Sequence, residues 1–187
     1  LNLIAGLIDG QSGRISLAGQ APKAGRKDVA YMLARDSLFP WRTALQNVML
    51  AGEFRGVPRT RREERAREFL GNVGLAGFEN AYPKALSHGM RQRVALARTF
   101  SMESSILLMD EPFGALDAQT KMQLEDVLLK LWTIEKRTVL FITHDLNEAV
   151  TLSDRIIVMS ARPGKILADI PIALPRPRSV RALQKDP

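Results

Sequence analysis

The sequence contains no cysteine. That removes disulfides, thiolate metal ligands and thiol nucleophiles. Long apolar runs are also missing. Stretches such as Ile106–Met109 and Val139–Ile142 fall far short of the roughly 18 residues a membrane-crossing helix needs. Leu1–Leu7 lacks the basic flank of a secretory signal. No internal repeat and no low-complexity segment is found. What is present is an ordinary globular mixture, 45% hydrophobic and 25% charged over 187 residues, long enough for one domain with a core of its own. Lys and Arg number 27 against 20 Asp and Glu, a net charge of +7. Such a chain suits nucleic acid, an anionic membrane surface or a phosphorylated small molecule, and charge alone does not choose among them.

Hydrophobic periodicity sets the expected elements. Leu1–Leu7 reads as the end of an amphipathic helix already under way, and Arg181–Pro187 stops without a natural terminus signal, so a fragment cut at both ends is expected. Gly13–Gly19 alternates apolar and polar residues and reads as a short strand; Asp28–Leu33 reads as another. Helices are expected over Thr43–Leu50, Pro58–Val73 and Met90–Phe100. The arginine- and glutamate-rich face of the second reads as a solvated face with mixed ion pairs rather than a nucleic-acid stripe. Three apolar runs follow, Ser105–Met109, Thr138–Thr143 and Arg155–Ser160, separated by helices near Ala118–Lys136 and Leu146–Leu152. That alternation predicts an α/β fold with right-handed crossovers and a parallel sheet buried on both faces. Gly164–Ile170 reads as a further strand, and Pro171, Pro175 and Pro177 as an extended tail.

Ligands of open parallel sheets bind beyond the carboxyl ends of the strands. One such end delivers Asp110 and Glu111, another His144 and Asp145. Adjacent carboxylates can divide a task, one holding hydrated Mg²⁺ and the other orienting an attacking water. Taken alone, Asp110-Glu111-Pro112 is equally a polar turn closing a strand, and His144 a structural histidine. Leu86-Ser87-His88-Gly89-Met90 precedes a helix, where backbone N–H groups and the helix dipole favour phosphate; Ser87 also suits an N-cap.

Taken in order, these segments resemble the ATPase subunit of ABC transporters over nearly the whole chain. Leu86–Met90 with Arg91–Arg98 resembles the signature motif and its helix. Ile106–Pro112 resembles Walker B with the catalytic glutamate, Gly114–Asp117 the D-loop and Thr143–Asp145 the switch histidine. Leu38–Thr43, Arg162–Lys165 and the Pro-Arg-Pro-Arg run at 175–178 are similar to the nitrate/sulfonate/taurine importer branch. The resemblance implies a P-loop-NTPase-like parallel sheet core with a small helical subdomain. Residues 1–187 would be a partial nucleotide-binding domain, with a helical signature subdomain inserted at approximately 43–100. It implies ATP and Mg²⁺, with Asp110 holding the metal through water, Glu111 and His144 catalytic, and Leu86, Ser87, His88, Gly89, Met90 and Asp117 binding nucleotide across a dimer. It further implies a permease docked around Phe39–Asn47, a second ATPase subunit, an extracytoplasmic solute-binding protein acting indirectly, and a peripheral place at the cytoplasmic face of the plasma (inner) membrane. No nucleic-acid partner is expected.

Three departures from the family pattern stand out. No Gly-x-x-Gly-x-Gly-Lys-Ser/Thr P-loop occurs in the 187 residues, so this chain alone is expected to bind ATP poorly and not to hydrolyse it. Ala34 stands where the family has the Q-loop glutamine, and His88 replaces the first glycine of the signature pair. Two rival readings are a chromosome-associated or nucleic-acid ATPase and a non-catalytic relic. The interval from Ala34 to Leu86 carries no sustained heptads, against the first; the joint presence of Asp110, Glu111, Asp117 and His144 opposes the second.

Overall fold

The computed structural model describes residues 1–10 and 12–180; Arg181–Pro187, where the chain was read as cut, lies outside them. Its elements run β1 (Val29–Met32), α1 (Ala44–Phe54), α2 (Arg59–Asn72), a 3-10 turn at Pro83–Ala85, α3 (His88–Ser101), β2 (Ile106–Asp110), α4 (Ala118–Ile134), β3 (Thr138–Ile142), α5 (Leu146–Leu152), β4 (Arg155–Met159) and β5 (Ile166–Pro171). β1, β2 and β3 form a parallel sheet in that order. Val29 faces Ile106, and Asp110 faces Ile142. The parallel α/β core is therefore present. β2 is the central strand, and Leu107, Leu108 and Met109 have no exposed surface.

Four of the five α-helices begin at a side-chain cap, and α2 begins after Pro58 without one. Thr43 and Gln46 form a reciprocal capping box on α1, and Ser87, Asp117 and Asp145 cap α3, α4 and α5 with side-chain oxygens. Such caps contribute about 1 kcal/mol each. The apolar stripe Val94, Ala97 and Phe100 of α3 packs with Phe69 and Leu70 of α2, Val48 of α1 and the sheet. α4 adds Leu124, Leu128 and Leu131, one apolar residue per turn. A large apolar side chain fully buried in this way contributes roughly 1.5–3 kcal/mol.

Four expectations need correction. Leu1–Leu7 is a series of turns, not a helix. Gly6 adopts φ +70°, and a Cβ there would come within 2.5 Å of the Lys23 backbone, so a close approach of two chain segments replaces the helical path. Gly13–Gly19 is not a strand. Leu17 and Gln20 make an isolated antiparallel bridge across a two-residue turn in which Ala18 and Gly19 both have positive φ, the geometry of a type I′ turn. β4 does not join the parallel sheet; it pairs antiparallel with β5. The linking segment Ser160–Lys165 closes on itself, Ser160 N donating to the Lys165 carbonyl at 2.9 Å, and so short a loop costs little entropy to close. Finally, β3 and β4 are not buried on both faces. In β3, Leu140 and Ile142 are exposed while Val139 and Phe141 face the core, because among the described residues only one face of this strand is covered.

Candidate functional site

The parallel register carries the carboxyl ends of β2 and β3 to one edge. Asp110 closes β2 opposite Ile142. Glu111 N donates to the Ile142 carbonyl at 3.0 Å, so the two strands remain stitched one residue past the end of β2. His144 follows two residues after Ile142, and its Nδ1 stands 3.3 Å from Glu111 Oε2. The sheet thus brings Asp110, Glu111 and His144 to one edge. The Glu111 and His144 side chains are 44% and 72% exposed, open to an incoming ligand. Glu111 has φ +44°, a left-handed conformation that costs a non-glycine residue on the order of 1–3 kcal/mol and concentrates at functional sites. Gly114 N donates to the Glu111 carbonyl at 3.2 Å. A Cβ at Gly114 would lie 3.4 Å from Glu111 Oε2, so the glycine leaves room beside the carboxylate.

Two neighbours of this centre were not anticipated from the sequence. The Tyr31 hydroxyl on β1 lies 3.3 Å from Asp110 Oδ2 and 3.0 Å from Asn2 Oδ1, and its one proton serves one acceptor at a time. Burial, then the Asp110 charge, raises the Tyr31 phenol above its ordinary range. The only available signal was the position of Tyr31 on the neighbouring strand. Lys121 on α4 lies 2.9 Å from Asp145 Oδ2 and 3.0 Å from Glu148 Oε1. Burial alone would push this ammonium down; its bonds to the two carboxylates outweigh that and raise it. Thr143 Oγ1 donates to Glu148 Oε2 at 2.5 Å and accepts from Asp145 N at 2.9 Å. The residues on both sides of His144 are thereby tied to the helix that begins after Asp117. One turn further along α4, burial first and the Glu148 charge second push the Glu125 carboxyl up to about 7. Asp117 itself is exposed, and bonding to Thr120 lowers its carboxyl below the usual range.

The segment Leu86–Met90 enters the helix earlier than periodicity indicates. Ser87 is the N-cap, accepting from Met90 N at 3.2 Å, and His88 is the first residue of α3. Gly89 is needed sterically: a Cβ there would stand 2.6 Å from Thr120 Cγ2 at the start of α4. His88 Nδ1 lies 3.2 Å from Arg91 Nη2. Leu86 is buried in the core. Among the described residues, no hydrogen bond or ion pair joins Leu86–Met90 to Asp110, Glu111 or His144.

Ala34 contributes no side-chain polar group, yet its backbone is held. Gln92 Nε2 donates to the Ala34 carbonyl at 3.1 Å. Arg91 Nε bonds Asp36 Oδ2 at 2.9 Å, and Arg98 donates to the Asp36 and Ser37 carbonyls, both at 2.8 Å. Three side chains of α3 thus grip residues 34–37. The next loop is organised by buried Asn47, whose Oδ1 accepts from Phe39 N at 2.8 Å and whose Nδ2 donates to the carbonyls of Phe39, Arg42 and Thr43. Trp41 is left 68% exposed at the tip, 5.2 Å from the Phe39 ring.

Comparison with known proteins matches the ABC transporter family over residues 1–114. An uncharacterised ABC transporter ATP-binding protein of Methanocaldococcus jannaschii is 48% identical over 98% of this chain and 69% of its own length. A taurine import ATP-binding protein of Rhizobium johnstonii is 45% identical over 90% of this chain and 64% of its own. A nitrate import ATP-binding protein of Synechocystis is 44% identical over 94% of this chain and 66% of its own. Among solved structures, a dimeric ATP-binding cassette in a post-hydrolysis state with ADP and Pi superimposes with a TM-score of 0.76 at 29% identity, covering 92% of this chain and 79% of that one. The parallel core, the acidic pair closing β2 and the histidine beyond β3 accord with these matches: the chain belongs to the ABC transporter family of ATPases.

Proposed function

We propose that this chain is the motor part of an ABC importer for a small anion or sulfonate-like solute, as the taurine and nitrate import relatives are named. The observation that carries the reading is the pairing of Glu111 Oε2 with His144 Nδ1 at 3.3 Å beside Asp110. Glu111, exposed and held in an unusual backbone conformation, accepts a proton from the water that attacks the terminal phosphoryl group of ATP. His144 orients that carboxylate and donates toward the γ-phosphate. Asp110 would hold Mg²⁺ through water. When bound, that ion neutralises charge on the phosphates.

Leu86, Ser87, His88, Gly89 and Met90 lie at the helix N-terminus of α3, without polar contact to the acidic centre of their own chain. They therefore serve the nucleotide of a second subunit, with Asp117 at the junction. Residues 43–100 form the helical subdomain, and exposed Trp41 with the loop latched by Asn47 docks the permease at the cytoplasmic face of the membrane. A large exposed aromatic on a held loop is the kind of anchor that dominates binding energy.

The test is Glu111→Gln in the protein carrying this chain. ATP binding should persist while turnover falls about 10²–10⁴-fold; turnover at the parent rate would remove Glu111 from the mechanism.

A further inference from the structure

A second charged centre lies away from the acidic one, near the amino ends of β1 and β2. A cavity of about 100 Å³ opens between α1, α2 and the turn after α3, lined among others by Arg55, Arg61, Arg62, Arg65 and Glu103. One water needs only about 10–15 Å³ measured in this way, so the cavity admits a larger guest. Among the described residues, Glu103 is the one carboxylate on its wall. Arg137 lies near enough to be affected: burial first and the charge of Arg65 second, opposed by Glu103 and with a smaller push from Arg55, bring its guanidinium down to about 10.

Arg55 and Arg65 are held in place by groups other than a guest. Arg55 donates to the Lys27 carbonyl and, at 3.1 Å, to Ser104 Oγ. Arg65 lies 3.3 Å from Glu103 and 2.8 Å from Glu135 and stacks on Phe69 at 5.0 Å. The stem of Arg62 covers Gly52, where a Cβ would meet Arg62 Cγ at 3.0 Å. Arg62 Nε is buried with no hydrogen-bond partner, and Arg62 makes no ion pair among the described residues. Five guanidiniums, counting Arg137, thus gather about two carboxylates, Glu103 and Glu135. Val48, Met49 and Val57 form the apolar part of the wall, and the guanidinium forks beside them match the geometry of phosphate and sulfonate oxygens.

We infer that this cavity is a binding site for a small tetrahedral oxyanion, a phosphate or sulfate group, separate from the nucleotide centre. Arg62, whose Nε is buried without a hydrogen-bond partner, supplies the first donor, exposed Arg61 on the cavity wall closes over the guest, and Arg55 and Arg65 supply the surrounding positive field. The source is either the free ion or the terminal group of a phosphomonoester.

The test is isothermal titration of the protein carrying this chain, at fixed ionic strength, with inorganic phosphate, inorganic sulfate and phenyl phosphate as probes. One saturable site is expected. Arg62→Gln and Arg61→Gln should each weaken it about tenfold or more, the loss expected for a charge-assisted hydrogen bond. Arg59→Gln removes the same charge from the same helix without touching the cavity and should leave affinity within twofold. Phenyl phosphate binding more tightly than phosphate would assign the site to a monoester, and the reverse order to the free ion; either supports the site. Thermal melting of each variant, unchanged for Arg61→Gln, separates lost binding from lost folding. Absence of saturable binding by all three probes, or equal weakening by Arg59→Gln and Arg61→Gln, would overturn the inference.

Discussion

His144 Nδ1 stands 3.3 Å from Glu111 Oε2, although 33 positions separate them in the chain and each side chain is partly or largely open to solvent. The parallel pairing of β2 with β3 makes that meeting possible. On the proposed mechanism, in which the contact orients a general base, His144→Ala should lower kcat about 10²-fold or more with little change in nucleotide affinity. Single-turnover hydrolysis measured beside nucleotide binding checks this; an unchanged kcat would make the histidine structural.

Gly89 and Thr120 make a second testable contact. Gly89→Ala gains about 1 kcal/mol of helix propensity but drives a methyl to within 2.6 Å of Thr120 Cγ2, an overpacking that costs about 1–3 kcal/mol. Net destabilisation is expected. In a Thr120→Ser background the obstructing methyl is gone, and the same alanine should become neutral or stabilising. A double-mutant cycle by chemical denaturation reads the coupling. Additive effects would show that the two helices separate easily.

Asn47 has no exposed surface, and its side chain makes four hydrogen bonds to the loop backbone. Asn47→Ala should cost about 2–4 kcal/mol, since the Phe39 N–H and the Arg42 carbonyl lose the partner that the buried amide supplies. Hydrogen exchange should accelerate at residues 39–43 before other regions. Uniform acceleration throughout the molecule would contradict a local latch.

Glu125 titrates near neutrality because burial, and then the Glu148 charge, disfavour its anion. Its folded value, about 7, lies above the ordinary value of 4.5. The folded state therefore holds a proton that the unfolded chain gives up, and the associated stability is fully present below about pH 4.5 and lost as pH rises through 7. Glu125→Gln should stabilise the protein at pH 8 by on the order of 1–3 kcal/mol relative to its effect at pH 4.5. Denaturation midpoints of parent and variant across that range supply the measurement; a pH-independent difference would mean that Glu125 is solvated.

The chemistry-bearing residues were largely legible in the linear order. Apolar runs ending in acids or in a histidine mark strand ends, and Ser87, Asp117 and Asp145 each precede a helical period. Their caps are local interactions within three residues, so sequence alone determines them. The apolar runs also determined that β2 and β3 would be parallel strands joined through a helix, while the same pattern assigned β4 to that sheet and did not reveal that β1 would join it. Tertiary structure decided the rest. Whether an apolar run is covered on one face or two depends on what packs against it, which is why β3 presents Leu140 and Ile142 outward despite a continuous apolar sequence. β4 took its neighbour β5 because a short connection closes at lower entropic cost. Gly89 looked like a place for phosphate, and its immediate steric reason is Thr120, 31 positions away. The convergence of Arg55 with Arg62 and Arg65 on one cavity has no signature in the linear order, because Arg62 and Arg65 share α2 while Arg55 follows α1, and only the packed fold brings them together.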